Sequence, residues 1–197
     1  MPTNFISSPD NPRIKEIVRL RDAAYRKEKG LFIIEGLREV QLALRAGFKA
    51  REIYLCPEFL NMRQRAEFDF NIQDTEMIEL DKKAYEKIAF GERKEGIIAV
   101  ARDPHIALRD IKIKPKSLIV VLEGLEKPGN LGAIARTADA AGVSALIAAD
   151  TRVDIYNPNV IRSGLGAVFS VKTLKESSPK VIAWLKENKI GIVSAIV

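Results

Sequence analysis

The clearest chemistry in this chain lies in the stretch Pro128-Gly129-Asn130-Leu131-Gly132-Ala133-Ile134-Ala135-Arg136-Thr137-Ala138-Asp139-Ala140-Ala141-Gly142. Arg136 carries a planar guanidinium, whose fork of donors holds a phosphate and stabilises negative charge developing on a neighbouring oxygen. Asn130 adds an amide that both donates and accepts, which suits it to orienting a partner. Gly132 stands between them, where a missing Cβ would let backbone and ligand approach closely. Together these groups suit a substrate that bears both a phosphate and a hydroxyl. Two familiar nucleotide loops are excluded: Gly129 and Gly132 are spaced G-x-x-G, not G-x-G-x-x-G, and no G-x-x-x-x-G-K-[ST] occurs. One cysteine, Cys56, and one histidine, His105, leave no cysteine or histidine cluster for a metal and no internal disulfide.

The elements that must position these groups read as a strand–loop–helix–strand unit. The apolar run Ser117–Leu122 predicts a buried parallel strand, Leu131–Ala141 a helix stopped by Gly142, and Ala145–Ala149 a second strand. Asn130 then sits on the loop before the helix. In open α/β sheets ligands bind at the carboxyl ends of the strands, which is where this loop and the first helical turns lie. The chain continues through a short helix near Asn159–Ser163, a strand at Val168–Val171, a helix at Pro179–Glu187 and a strand at Ile190–Ile196. Val181, Ile182, Trp184 and Leu185 form the buried face of that helix, so Trp184 reads as core and not as a base-stacking aromatic.

The Asn130, Gly132, Arg136, Ala138 spacing resembles the Asn-x-Gly-x-x-x-Arg-x-Ala motif of the SpoU (TrmH-type) family of RNA ribose 2′-O-methyltransferases. A second matching stretch, Asn157-Pro158-Asn159-Val160-Ile161-Arg162-Ser163-Gly164-Leu165-Gly166-Ala167-Val168-Phe169, follows in order. The resemblance implies S-adenosyl-L-methionine as cofactor, RNA (ribosomal RNA first) as substrate, and a C-terminal parallel-sheet α/β-knot (SPOUT) domain. It implies Arg136 as the catalytic group with Asn130 beside it, Gly132 and Arg162 as RNA contacts, and the backbone of Ala195 at the rim of the cofactor site. An arginine is costly to deprotonate, so its expected part is positioning and alkoxide stabilisation. A salt bridge from Arg162 to Asp154 or Glu123 is the competing reading of Arg162. Transfer from a sulfonium needs no metal. The family's two later motifs, which tie the knot, complete the cofactor pocket and build a homodimer interface, do not occur through Val197. The expectation is a truncated member that lacks the knot, binds the cofactor weakly and is inactive by itself.

Ahead of this unit, helices and strands alternate. A helix is predicted from Asn11-Pro12 to Lys29, then a strand at Leu31–Glu35, a helix at Gly36–Ala46, a strand at Glu52–Leu55 and a helix from Pro57 to about Phe68. A strand at Met77–Leu80, a helix at Asp81–Phe90 and a strand at Gly96–Ala101 complete it. The pattern predicts an α/β/α sandwich over residues 1–105, expected to fold independently. Asn11-Pro12-x-Ile14-Lys15, Phe32-Ile33-Ile34-Glu35-Gly36 and Lys94-Glu95-Gly96-Ile97-Ile98-Ala99-Val100 are similar to the ribosomal-protein-like RNA-binding domain found at the N-terminus of many SpoU proteins. Arg13, Lys15, Arg19, Arg21, Arg26, Lys27 and Lys29 crowd the leading helix, and Arg13 and Lys15 are the candidate RNA contacts. Residues 106–116 read as an exposed linker, and 117–197 as the methyltransferase domain.

Net charge is +6. Residues 1–105 are nearly balanced, with 19 basic and 18 acidic side chains, whereas residues 106–197 carry 13 basic against 8 acidic. A polyanion partner fits this distribution. No apolar run reaches the roughly 20 residues a membrane helix requires, and the N-terminus lacks the pattern of a secretory signal, so a cytoplasmic setting is expected. Three readings stay open: a ribose methyltransferase, a non-catalytic RNA-binding protein, and an unrelated nucleotide-binding α/β enzyme.

Overall fold

The structure is a computed structural model, described for residues 4–60, 68, 72–91 and 94–195. Its first layer is a mixed sheet in the order β1-β4-β3-β5-β2. The strands are β1 (Asn4–Ile6), β2 (Leu31–Glu35), β3 (Ala50–Leu55), β4 (Glu76–Leu80) and β5 (Ile97–Arg102). β1 and β3 run parallel to β4, while β5 lies antiparallel to both β3 and β2. Strand β1 had no counterpart in the sequence reading. The leading helix is two helices, α1 (Pro12–Arg19) and α2 (Ala23–Lys29). Leu20 is fully buried at the break, and Asp22 restarts the helix by accepting a hydrogen bond from the Tyr25 amide at 2.9 Å. Gly30 stops α2 in the left-handed conformation at φ 61°. Helices α3 (Leu37–Arg45) and α4 (Lys82–Ile88) cover the sheet, Asp81 capping α4 through the Ala84 amide. The helix expected from Pro57 to Phe68 lies largely outside the described residues.

The second layer is a parallel sheet, β6-β7-β8, formed by Ile119–Glu123, Ala145–Ala149 and Lys172–Glu176. β7 is buried throughout, because helices or chain cover both its faces. β6 is an edge strand with Val121 39% exposed, so the expectation of a fully buried first strand is corrected. Helices α5 (Pro128–Ala140), α6 (Pro158–Ser163) and α7 (Ala167–Ser170) pack on one face, and α8 (Ser178–Glu187) on the other. Three further expectations change here. The Val168–Val171 run is helical: Phe169 turns toward the first layer, and the strand begins at Lys172. Residues 190–195 form no strand, and Val193 is 98% exposed. Ile182 faces solvent, while Val181 and Leu185 are buried and Trp184 packs beside them.

The two layers share one core. Phe32, Ile34, Leu37 and Val40 from the first half join Leu131, Tyr156, Val160 and Phe169 from the second in a single apolar cluster. Phe32 stacks on Tyr156 with centroids 4.2 Å apart, and Phe48 meets Phe169 edge-on at 5.0 Å. Such aromatic pairs add to the burial of their area. Arg26 crosses the same seam: its Nε donates to Asp154 Oδ2 at 2.7 Å, while Nη1 donates to the carbonyls of Leu20 and Arg21 at 2.8 Å. Residues 1–105 thus share part of their interior with the second layer. Nor is the connection simply exposed. Ile111 is buried against Ala145, Ile147 and Leu174, and Lys172 Nζ donates to the Asp110 carbonyl at 2.6 Å.

Candidate functional site

Pro128 opens α5 at a position where its missing N–H costs nothing, and the helix runs from the carboxyl end of β6. Asn130 is thus part of the first helical turn and not of a preceding loop. The buried positions Leu131, Gly132, Ala135 and Ala138 fix the helix rotation, which leaves Gly129, Asn130, Ala133, Arg136 and Thr137 exposed. Arg136 therefore projects from the open face. Six residues separate it from Asn130, placing the two about 120° apart around a helix of 3.6 residues per turn. The structure does not bring Asn130 onto Arg136; they flank opposite sides of the open face.

Gly132 is corrected outright. It is buried, and a Cβ there would lie 2.0 Å from Ser163 Oγ, 2.5 Å from the Val160 carbonyl oxygen and 2.7 Å from the Gly164 amide nitrogen. Its backbone is in contact with α6, so it cannot touch RNA; it lets two helices approach. This contact sets Arg162 and Ser163 beside the start of α5. An open cavity of about 330 Å³ results, lined by Pro128, Gly129, Asn159, Arg162 and Ser163. Asn157 caps α6 by accepting from the Asn159 amide at 2.8 Å, and Ser163 Oγ donates to the Asn159 carbonyl at 2.7 Å.

Arg162 takes neither expected carboxylate. Asp154 is held by Arg26, and Glu123 accepts from Ser178 Oγ at 2.9 Å. Instead Arg162 Nη1 donates to the Phe90 carbonyl at 2.5 Å, under Gly91, where a Cβ would collide with the same guanidinium. Glu35 lies in that pocket too, with Oε2 accepting from the Phe90 amide at 2.7 Å. Burial raises the Glu35 carboxyl to about 7, against the opposing pull of the Phe90 amide and Arg162. The first layer thus grips one side of Arg162 while its other side faces the cavity at α5. Glu35 and the Phe90 loop were not singled out in the sequence, because only the tertiary fold carries them to α6.

Arg13 and Lys15 lie elsewhere. Arg13 pairs with Glu76 of β4 at 2.8 Å, and β3 and β5 separate β4 from the β2 seam. Lys15 pairs with Asp10 at 3.1 Å and is exposed. The crowd of cations on α1 and α2 is largely absorbed: Arg19 lies 4.1 Å over the Tyr25 ring, and Arg21 donates to the carbonyls of Lys87 and Ala89. Ala195 is exposed and lies outside any strand. The cavity at α5 has no aromatic or branched apolar side chain in its lining, so it does not fit the adenosine of S-adenosylmethionine. Its arginine, amide and hydroxyl suit a sugar–phosphate backbone.

Comparison with known proteins agrees with this arrangement. Residues 11–99 match the MRM3-like substrate binding domain, and residues 117–196 the SpoU rRNA Methylase family. The chain is 27% identical over 187 residues to the 23S rRNA (guanosine(2553)-2′-O)-methyltransferase RlmP of Bacillus subtilis, covering 95% of this chain and 71% of that protein. It is 28% identical over 169 residues to a 23S rRNA (uridine(2479)-2′-O)-methyltransferase of Streptomyces viridochromogenes, covering 83% of this chain and 58% of the relative. Among solved structures, an RNA 2′-O ribose methyltransferase superposes with a TM-score of 0.77 at 38% identity, over 94% of this chain and 70% of the other. The SpoU methyltransferase AviRb of Streptomyces viridochromogenes, in complex with AdoMet, superposes with a TM-score of 0.81 at 27% identity, over 91% and 68%. With both layers matched in order and Arg136 presented on the open face of α5, the chain belongs to the SpoU rRNA methylase family.

Proposed function

We propose that this protein takes part in S-adenosylmethionine-dependent methylation of a ribose 2′-hydroxyl in ribosomal RNA. The observation that carries the reading is Arg136: it is exposed on the ligand edge of α5, and no hydrogen bond or ion pair engages it among the described residues. The cofactor supplies an electrophilic methyl group. Arg136 holds the phosphate next to the target ribose and stabilises negative charge on the 2′-oxygen as its proton leaves to phosphate or water. Asn130, in the first turn of α5, and Arg162, in the cavity beside that turn, orient the RNA backbone. Arg162 is held for this from behind by the Phe90 carbonyl. The substrate is ribosomal RNA because the relatives named above act on 23S rRNA.

A cytoplasmic homodimer that needs no metal completes the reading. Leu118 and Val121, exposed at the β6 edge, and the free buried Cys56 support it. The test is single-turnover methylation of transcribed 23S rRNA by wild-type, Arg136→Ala and Arg136→Lys proteins, with thermal melts alongside. Loss of one preorganised donor facing an oxyanion costs about 10²–10³-fold in rate, and Lys rescues poorly because an ammonium cannot span ribose and phosphate together. An Ala variant that melts normally and methylates within about threefold of wild type, well inside that expected loss, removes Arg136 from the mechanism. The polar lining of the α5 cavity also fits a second reading, a non-catalytic RNA binder; wild type that binds RNA yet transfers no methyl group selects it.

A further inference from the structure

A second groove opens on the seam between the layers, away from Glu35 and at the start of β2. Its volume is about 500 Å³. Lys27 of α2 reaches it from the first layer, and Arg152 and Lys175 reach it from the second. Arg152 follows the carboxyl end of β7, the same sheet edge from which the 124–127 loop leads to α5. Thr151 Oγ1 donates to the Leu125 carbonyl and ties the two loops together.

The charges in the groove do not cancel. Of its two carboxylates, Asp154 is taken by Arg26, and Asp103 accepts from the His105 amide at 2.8 Å with the His105 ring nearby. Lys27, Arg152 and Lys175 have no ion pair or hydrogen bond among the described residues, in contrast to Arg13, Lys15, Arg21 and Arg26. Partial burial holds the Lys175 ammonium below the usual range; Asp154 opposes that shift and the neighbouring Lys27 adds to it. Two elements distant in sequence thus bring like charges together, at a position held by the Arg26–Asp154 bond and the Phe32–Tyr156 stack. Such a cluster is relieved by a polyanion that neutralises the cations together.

We propose that Lys27, Arg152 and Lys175 form a binding site for RNA backbone phosphates, which anchors the substrate across the seam while a neighbouring nucleotide lies at Arg136. This rests on the reading of the protein as acting on RNA. It moves backbone recognition from α1, where Arg13 and Lys15 are paired, to the junction of the two layers.

The test is filter binding of transcribed 23S rRNA at salt concentrations from 50 to 200 mM, with thermal melts of each protein. The proteins are wild type, the triple variant Lys27→Gln/Arg152→Gln/Lys175→Gln, the single variants Lys27→Gln and Arg152→Gln, and Lys186→Gln as a distant exposed control. Each phosphate contact contributes about 0.7 to the slope of log affinity against log salt for single-stranded RNA, so three contribute about 2. Wild type should lose roughly 16-fold more affinity than the triple variant over that fourfold range of salt. Each single variant should lower the slope by about 0.7, and Lys186→Gln should leave it unchanged. Folded variants with the wild-type slope overturn the proposal. So does an equal fall in slope for Lys186→Gln, which would mean diffuse surface attraction. If the triple variant does not fold, the single variants decide on the same criterion. Wild type that fails to bind at 50 mM salt rejects the RNA reading itself, and the groove proposal with it.

Discussion

Replacing Gly132 by alanine separates a packing role from a ligand role. The new methyl would lie 2.5 Å from the Val160 carbonyl oxygen and 2.7 Å from the Gly164 amide nitrogen, both backbone atoms that cannot swing away. The Ser163 hydroxyl, 2.0 Å away, can rotate aside. Ordinary contact begins near 3.5 Å, so α5 and α6 must part by about 1 Å. Overpacking of this kind costs about 1–3 kcal/mol, offset by roughly 1 kcal/mol of helix propensity gained on replacing glycine. A net loss of about 0–2 kcal/mol follows, up to roughly 8 °C in melting temperature for a domain of this size, and about 1–3 kcal/mol relative to a helical glycine replaced without a clash. Gly129→Ala is the internal control: nothing lies within 4 Å of its Cβ position and its φ is not left-handed, so it should hold or raise stability. Urea titration of both variants, checked for an unchanged m-value, gives the comparison. Because the displaced helix carries Arg162 and Ser163, Gly132→Ala should also slow methyl transfer. A Gly132→Ala protein as stable as Gly129→Ala would refute the packing argument.

Other consequences follow from the same geometry. Phe32 is 1% exposed and stacked across the seam, so Phe32→Ala should cost about 3–5 kcal/mol, read by denaturant melts. Residues 1–105 expressed alone should expose Phe32, Phe48 and Leu37, bind a hydrophobic dye and melt below the whole chain; a fragment as stable as the parent would contradict the shared core. Glu35 has its carboxyl raised from 4.5 to about 7, so its protonated form is the one the fold favours. Its contribution is intact below about pH 4.5 and lost as pH rises to about 7, where the unfolded chain is already ionised. That interval corresponds to roughly 3 kcal/mol at most, reduced because Glu35 is only partly buried. Glu35→Gln should therefore stabilise the protein at pH 8 and change little at pH 4.5; equal effects at both values would remove the burial argument. Asp154→Asn should leave Arg26 buried without its counter-charge and destabilise by about 1–3 kcal/mol, again by melts.

Much of the fold was legible because periodicity and punctuation are local. Gly30 and Gly142 stop helices wherever the rest of the chain goes, and the apolar Ala145–Ala149 run has no exposed face in any sheet that covers it. Arg136 was expected on the open edge of its helix because Ile134, Ala135 and Ala138 supply the buried face; Ala135 and Ala138 are buried, joined by Leu131 and Gly132, while Ile134 is only half-buried. Where a residue serves a distant partner, local signals misled. Val168–Val171 has the apolar, β-branched composition of a strand, but Phe169 is there to meet Phe48 and Phe32. The cations of the leading helix read as a solvated or RNA-facing stripe. Tertiary contacts instead give Arg26 to Asp154, Arg13 to Glu76 and Arg21 to carbonyls of the α4 end. Gly132 looked like room for a ligand and is room for α6. The sequence by itself determined the alternation of elements and which face of α5 stays open, because both follow from the chain's own repeat. Only the tertiary structure decided which charges remain unpaired and what grips Arg162, because those depend on groups far apart in sequence, 72 residues for Phe90 and Arg162 and 128 for Arg26 and Asp154, meeting at one seam.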